Sequence, residues 1–153
     1  ILMKSITTAI CLAVALLTGC AGVCKSTDYA SALRELKLLA VEGNADAQNN
    51  IGVIYRGGLG VKTNYQVAVK WFKLAAEQGN RPAQANLGFM YANGMGISQD
   101  WVYAYMWSKI SAFNGFAAAT DNVTIFSQKL TARQLATAER LINNCILKKF
   151  KTC

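Results

Sequence analysis

Sliding this sequence 36 residues along itself brings Ala47, Gly52, Tyr55, Gly58, Gly60, Ala68, Trp71, Ala76 and Gly79 onto Ala83, Gly88, Tyr91, Gly94, Gly96, Ala104, Trp107, Ala112 and Gly115. Tyr65 falls on Trp101, aromatic on aromatic. Self-similarity at a fixed period between about 20 and 50 residues is the mark of a stacked repeat array. In such arrays each unit buries its apolar face only against its neighbours. The offset therefore constrains the fold more than any composition figure does. It also points to a surface that binds, since the shared residues are small or aromatic rather than reactive.

Each unit divides into two helices around a glycine-rich turn. In the first, Asn44 can cap a helix from about Ala45 to Arg56, and Gly57-Gly58-Leu59-Gly60 breaks it, because glycine accepts the positive φ of a helix terminus. A second helix is predicted from about Tyr65 to Gln78, stopped by Gly79. In the second unit Asn80 is the cap and Pro82 lies in the first turn, where its missing N–H costs little. Asn93-Gly94 and Gly96 make the turn, and Trp101 to Phe113 forms the second helix before Gly115. Gly52 and Gly88 sit mid-helix, where glycine costs about 1 kcal/mol against alanine. Their presence in both copies predicts close approach of a neighbouring helix. Ala68 and Ala76, eight apart, leave a smooth strip on one face, while Tyr55, Trp71, Tyr91 and Trp107 read as fillers between layers.

Half units flank the array. Tyr29, Ala32, Ala40 and Gly43 lie 36 residues before Tyr65, Ala68, Ala76 and Gly79, so residues 28–43 read as a degenerate leading half repeat. Glu35 stands there in place of tryptophan, as suits a face no layer covers. Residues 44–79 and 80–115 are the two full repeats, and residues 116–153 are capping helices with a basic tail. A helix is predicted from about Phe116 to Lys129. Thr131-Ala132-Arg133-Gln134 reads as a capping box opening a last helix, with Leu135, Ala138, Leu141, Ile142 and Cys145 on one side. Six or seven helices stacked as antiparallel pairs follow. No stretch alternates with period two, so no sheet is expected.

These residues resemble the Sel1-like repeat family, relatives of the tetratricopeptide repeats. Its unit reads A-x-x-x-L-G-x-x-Y-x-x-G-x-G, then A-x-x-W and a closing A-A-x-x-G. Ala47, Ile51, Gly52, Tyr55, Gly58, Gly60, Ala68, Trp71, Ala75, Ala76 and Gly79 match it in the first copy. Ala83, Leu87, Gly88, Tyr91, Gly94, Gly96, Ala104, Trp107, Ala112 and Gly115 match it in the second, which departs at Ser111. The resemblance implies an all-α, right-handed solenoid of helix pairs that binds proteins or peptides on its concave face. By analogy with tetratricopeptide repeats, that face is lined by the first helix of each pair. The positions there that lie outside the motif are Asn49, Val53 and Arg56, then Ala85, Phe89 and Asn93. They are the candidate partner-binding residues, set against the alternative of a variable solvent-facing surface.

The first residues read differently. A lysine at position 4, an apolar run from Ile6 to Leu17 and the small-residue end Thr18-Gly19-Cys20 describe an export signal over residues 1–19. The run of about a dozen residues is short of the roughly 20 a spanning helix needs. Leu17-Thr18-Gly19-Cys20 resembles the lipobox of bacterial lipoproteins. That resemblance implies lipidation of Cys20, a linker over residues 20–27 and, with Ala21 following, delivery to the outer membrane facing the periplasm. The alternative is ordinary cleavage after Ala21 and a soluble periplasmic or secreted protein. Of the other cysteines, Cys11 falls in the signal, leaving Cys24, Cys145 and Cys153. Cys145 and Cys153 could pair only if the tail after Lys149 folds back, since eight residues of helix rise about 12 Å. Free thiols are the alternative.

The chain carries 16 Lys and Arg against 8 Asp and Glu, a formal net charge of +8. Such a surface suits anionic partners, an acidic protein or lipid headgroups among them, or is simply solvated. It lacks the aromatic–basic interleaving of a nucleic-acid motif. There is no histidine, so no Ser-His-Asp or Cys-His system can be built. No S-x-x-K sequence is present and the carboxylates are scattered singly, against β-lactamase or glycosidase chemistry. No cofactor or metal is expected. The function expected is a non-enzymatic interaction scaffold of the bacterial envelope, with a secreted cell-wall-related or β-lactamase-like enzyme as the alternative.

Overall fold

The computed structural model describes residues 26–151 and 153; the signal segment, Cys20 and Cys24 lie outside the described residues. Seven α-helices and one 3-10 turn make up the described chain, with no strand among them. They are α1 (Ser26–Val41), α2 (Ala45–Gly57), α3 (Tyr65–Ala76), α4 (Arg81–Asn93), α5 (Trp101–Phe113), α6 (Thr120–Ser127) and α7 (Ala132–Leu147). Each packs on the next through α5, and α5 then carries both α6 and α7. The expected single helix from Phe116 to Lys129 is corrected: a 3-10 turn at Ala117–Ala119 precedes the shorter α6. Ala119 is buried while Ala117 and Ala118 are not, and a tighter turn delivers that one methyl inward.

The 36-residue period reappears in the hydrogen bonds. Asn44 and Asn80 each accept from the backbone N–H three residues on, at 2.8 and 2.9 Å. Asn64 and Asp100 do the same for the second helices. Gly58 and Gly94 take left-handed backbone at the C-caps, returning their N–H groups to Ile54 and Met90. The carbonyls of Tyr55 and Tyr91 receive the N–H of Asn64 and Asp100. These turns leave no choice of residue at Gly96. Its φ is +73°, and a methyl group there would strike the backbone of Tyr65 and Gln66 in the preceding repeat.

Side chains weld one repeat to the next by the same device. Gln48 donates to the carbonyl of Ala40 and accepts from Gln78; Gln84 donates to the carbonyl of Ala76 and accepts from Asn114. Gln84 is fully buried, so both its amide oxygen and its NH2 need partners inside the protein, and these bonds supply one for each. The mid-helix glycines serve contact as expected. A methyl at Gly52 would lie 2.5 Å from the Phe72 ring, and one at Gly88 would lie 2.9 Å from the carbonyl oxygen of Ala104.

The core falls in two clusters. The smaller holds Tyr29, Leu33, Ile51 and Ile54 between α1 and α2, with Trp71 at its edge. The larger runs from α3 through α7 around Phe72, Leu87, Met90, Trp107 and Ile110. The filler role divides accordingly: Trp107 is 1% exposed, whereas Trp71, Tyr55 and Tyr91 are half-buried. Glu35 lies on the exposed side of α1. The capping box of Thr131 and Gln134 is present, and Ala138, Ile142 and Cys145 of α7 are buried against α5. Beyond Leu147 the chain turns back through left-handed Lys149 and Phe150. That reversal closes a Cys145–Cys153 disulfide, with Cα atoms 5.2 Å apart. Free thiols at these two positions are thereby corrected. The same reversal lays the Phe150 ring against Gly79.

Candidate interaction face on the first helices

The six residues singled out by the sequence lie on α2 and α4, and the structure sorts them into three kinds. Ala85 is buried, 8% exposed, so it serves packing and is withdrawn from the binding set. Val53 is half-buried and packs against the larger core cluster. Asn93 is exposed, but its amide donates to the carbonyl of Phe89 at 2.8 Å, closing the end of α4. Asn49, Arg56 and Phe89 remain, and they converge.

Arg56 emerges from the last turn of α2 toward α4. Its Nη1 donates to Oδ1 of Asn86 at 2.8 Å. Asn86 Nδ2 in turn donates to Oδ1 of Asn49 at 3.0 Å. The guanidinium carbon lies 5.9 Å from the centroid of the Phe72 ring and 5.8 Å from that of Phe89, within the range of cation–π attraction. Phe72 is fully buried, while Phe89 is 39% exposed. The cation thus joins the core to a solvent-facing ring. Its pKa is lowered by loss of water around it.

Asn86 had not been singled out. Two signals in the sequence could have found it. It repeats Asn50 at the 36-residue offset, and asparagine is a poor residue inside a helix unless its amide is used. Arg56, by contrast, has Ala92 as its counterpart, Phe89 has Val53, and Phe72 has Ser108. The cluster is therefore peculiar to the junction of the two repeats and is not part of the repeating scaffold.

A second polar group sits on the opposite end of the array. Lys109 Nζ bonds Glu139 Oε1 at 2.8 Å and the Tyr105 hydroxyl at 2.9 Å, tying α5 to α7. Hydrogen bonding to Lys109 holds the Glu139 carboxyl below the usual range, and bonding to Glu139 pushes the lysine up. Further along, Arg133, Ala136, Thr137 and Arg140 border a shallow depression on α7. Among the described residues no three His, Cys, Asp or Glu side chains gather as a metal site, and no helix is long and apolar enough to cross a membrane.

Comparison with known proteins bears on the fold and on the spacing just described. The Sel1 repeat model matches twice in tandem, at residues 45–80 and 81–115. This is a Sel1-repeat protein. Among solved structures, it is similar to the Escherichia coli protein c5321, described as a protective antigen of uropathogenic strains displaying an SLR fold. The TM-score is 0.83 at 33% identity, over 93% of this chain and 30% of that one. A Sel1 repeat protein from Oxalobacter formigenes matches with TM-score 0.59 at 36% identity, over 62% of this chain and 38% of that one. The chain therefore spans about a third of the length of these two relatives. A search of curated proteins finds no match. The glycines, alanines and glutamines shared by the two Sel1 repeats serve turns and packed contacts, whereas Arg56, Asn49, Phe72 and Phe89 of the cluster differ between the copies.

Proposed function

We propose that this Sel1-repeat protein is a non-enzymatic scaffold of the bacterial cell envelope that docks a protein or peptide segment across α2 and α4. The observation that carries this reading is the Arg56–Asn86–Asn49 cluster beside the exposed Phe89 ring. It places an exposed aromatic and a cation where two repeats meet, outside the packing motif. Half-exposed aromatics and arginines are the side chains that most often dominate protein interfaces. The sequence supports export through the apolar segment before Cys20, and lipidation of Cys20 would hold the array at a membrane. An apolar acyl chain contributes about 0.8 kcal/mol per buried methylene, so two or three chains anchor firmly.

Crosslinking in envelope extracts, comparing the native chain with the Phe89→Ala/Arg56→Ala double variant, tests the docking face. Partners lost in the variant support it, and an unchanged partner set refutes it. Cys20→Ser should release the protein from membranes, and unchanged membrane association would refute the lipid anchor. Turnover of nitrocefin above the buffer rate would replace the scaffold reading with the enzymatic one.

A further inference from the structure

The Arg56 cluster has a polarity that limits what it can bind. An arginine only donates, so the Asn86 oxygen must face it. That leaves the Asn86 NH2 for Asn49, whose oxygen must then face Asn86. One end of the relay is therefore fixed by the other. Each amide oxygen already accepts one bond, and the donors left over are the remaining guanidinium N–H groups and the NH2 of Asn49. The described partners of the cation are neutral, one amide and two aromatic rings. The ion pairs Lys73–Glu77 and Lys109–Glu139 both lie elsewhere. The C-terminal dipole of α2 offsets part of the charge but gives the guanidinium no acceptor. A half-buried cation met only by one neutral amide oxygen and two rings lacks the anion that would complete it.

We propose that Arg56, Asn49 and Asn86 form a carboxylate site, and that the segment docking on α2 and α4 places a glutamate or aspartate side chain there with an apolar residue on Phe89. This rests on the reading of that face as the docking surface and names the chemistry of its partner. The planar guanidinium matches a carboxylate with two parallel hydrogen bonds, while the Phe72 and Phe89 rings near it help hold the fork in place. A side-chain carboxylate is favoured over a chain terminus. The first-turn N–H groups of α2 and α4, which could cradle a terminus, lie at the other end of the helices and are already capped by Asn44 and Asn80.

The test is a titration of the isotope-labelled full chain with three peptides: a blocked hexapeptide alternating leucine and glutamate, its glutamine counterpart, and that counterpart with a free C-terminus. The glutamate peptide should shift the Arg56 Nε resonance and the Asn49 and Asn86 amide resonances, and bind at least tenfold more tightly than the blocked glutamine peptide. Arg56→Lys should reduce that preference, and Phe89→Ala should weaken both blocked peptides alike. Equal affinity for the two blocked peptides overturns the carboxylate site, and so does the absence of an Arg56 shift at the highest concentration. A free-C-terminus peptide that matches the glutamate peptide overturns the choice of a side-chain carboxylate. These arms use the native chain and do not depend on any variant folding. Partners lost in the double variant alongside equal peptide affinities would leave the docking face standing and remove the carboxylate site alone.

Discussion

Replacing Gly88 with alanine should destabilise the protein although alanine is the better helix former. Propensity alone favours Gly88→Ala by about 1 kcal/mol. The new methyl would lie 2.9 Å from the Ala104 oxygen and 3.2 Å from the Ser108 nitrogen, both backbone atoms that cannot swing away. Ordinary contact begins near 3.4 Å, so α4 must retreat from α5. That seam holds Leu87, Met90, Trp107 and Ile110, none more than 1% exposed. A gap of 0.5–1 Å forfeits roughly a quarter to a half of each dispersion contact along it. Overpacking of this kind costs about 1–3 kcal/mol. The net expectation is a loss of up to about 2 kcal/mol, or a melting temperature lower by up to roughly 4–8 °C. Thermal and urea unfolding followed by helical circular dichroism would measure it. Ser108→Ala in the same background removes the nearest atom, the Oγ at 2.5 Å, yet should restore only part of the loss, because the Ala104 oxygen remains. A melting temperature raised by Gly88→Ala would refute close helix approach as the reason for glycine there.

Other perturbations separate the remaining terms. Gly96→Ala should cost more than Gly43→Ala, since both have positive φ but only Gly96 faces backbone while Gly43 has open space; equal melting shifts would contradict this. The Lys109–Glu139 pair should contribute under about 1 kcal/mol, because both side chains are some two-fifths exposed. Glu139 has a lowered pKa, so its contribution is present above the ordinary carboxylate range and lost as pH falls through the lowered value. Lys109 has a raised pKa, so its share is present below the ordinary lysine range and lost as pH rises through the raised value. Glu139→Gln should flatten the acid limb of stability against pH, and an unchanged limb would refute the assignment. Cys145→Ser should lower stability by about 2–3 kcal/mol on the chain-entropy account of an eight-residue closure; no change under oxidising conditions would show that the tail packs equally well unlinked.

Much of the fold was legible because the two copies comment on each other. Asn44 and Asn80, Gly58 and Gly94, and Gly52 and Gly88 each announce a cap, a turn or a close approach twice over, and local chemistry suffices to read them. The polar welds were harder. Gln48 and Gln84 look like surface glutamines in a helix, and only the approach of Ala40 and Ala76 from neighbouring helices turns them inward. The return of the tail was not legible either, since two non-glycine residues with positive φ, Lys149 and Phe150, carry it. At the candidate face the sequence located Arg56 and Phe89 through their departure from the repeat. It misplaced Ala85, whose helical position alone does not reveal which neighbour covers it.

The clasped tail also gives the array a direction of unravelling. In a linear stack, opening proceeds from whichever end is least secured. At one end a covalent loop pins α7 to its own tail, with Phe150 reaching back to Gly79. At the other, α1 leaves Leu38 and Val41 largely bare and is held through the smaller core cluster. Hydrogen exchange should therefore advance like a zipper, from α1 and α2 toward α5 and α7. Once the small cluster between α1 and α2 opens, the clasped α5–α7 end would hold, so the described helices would come apart one by one instead of all at once.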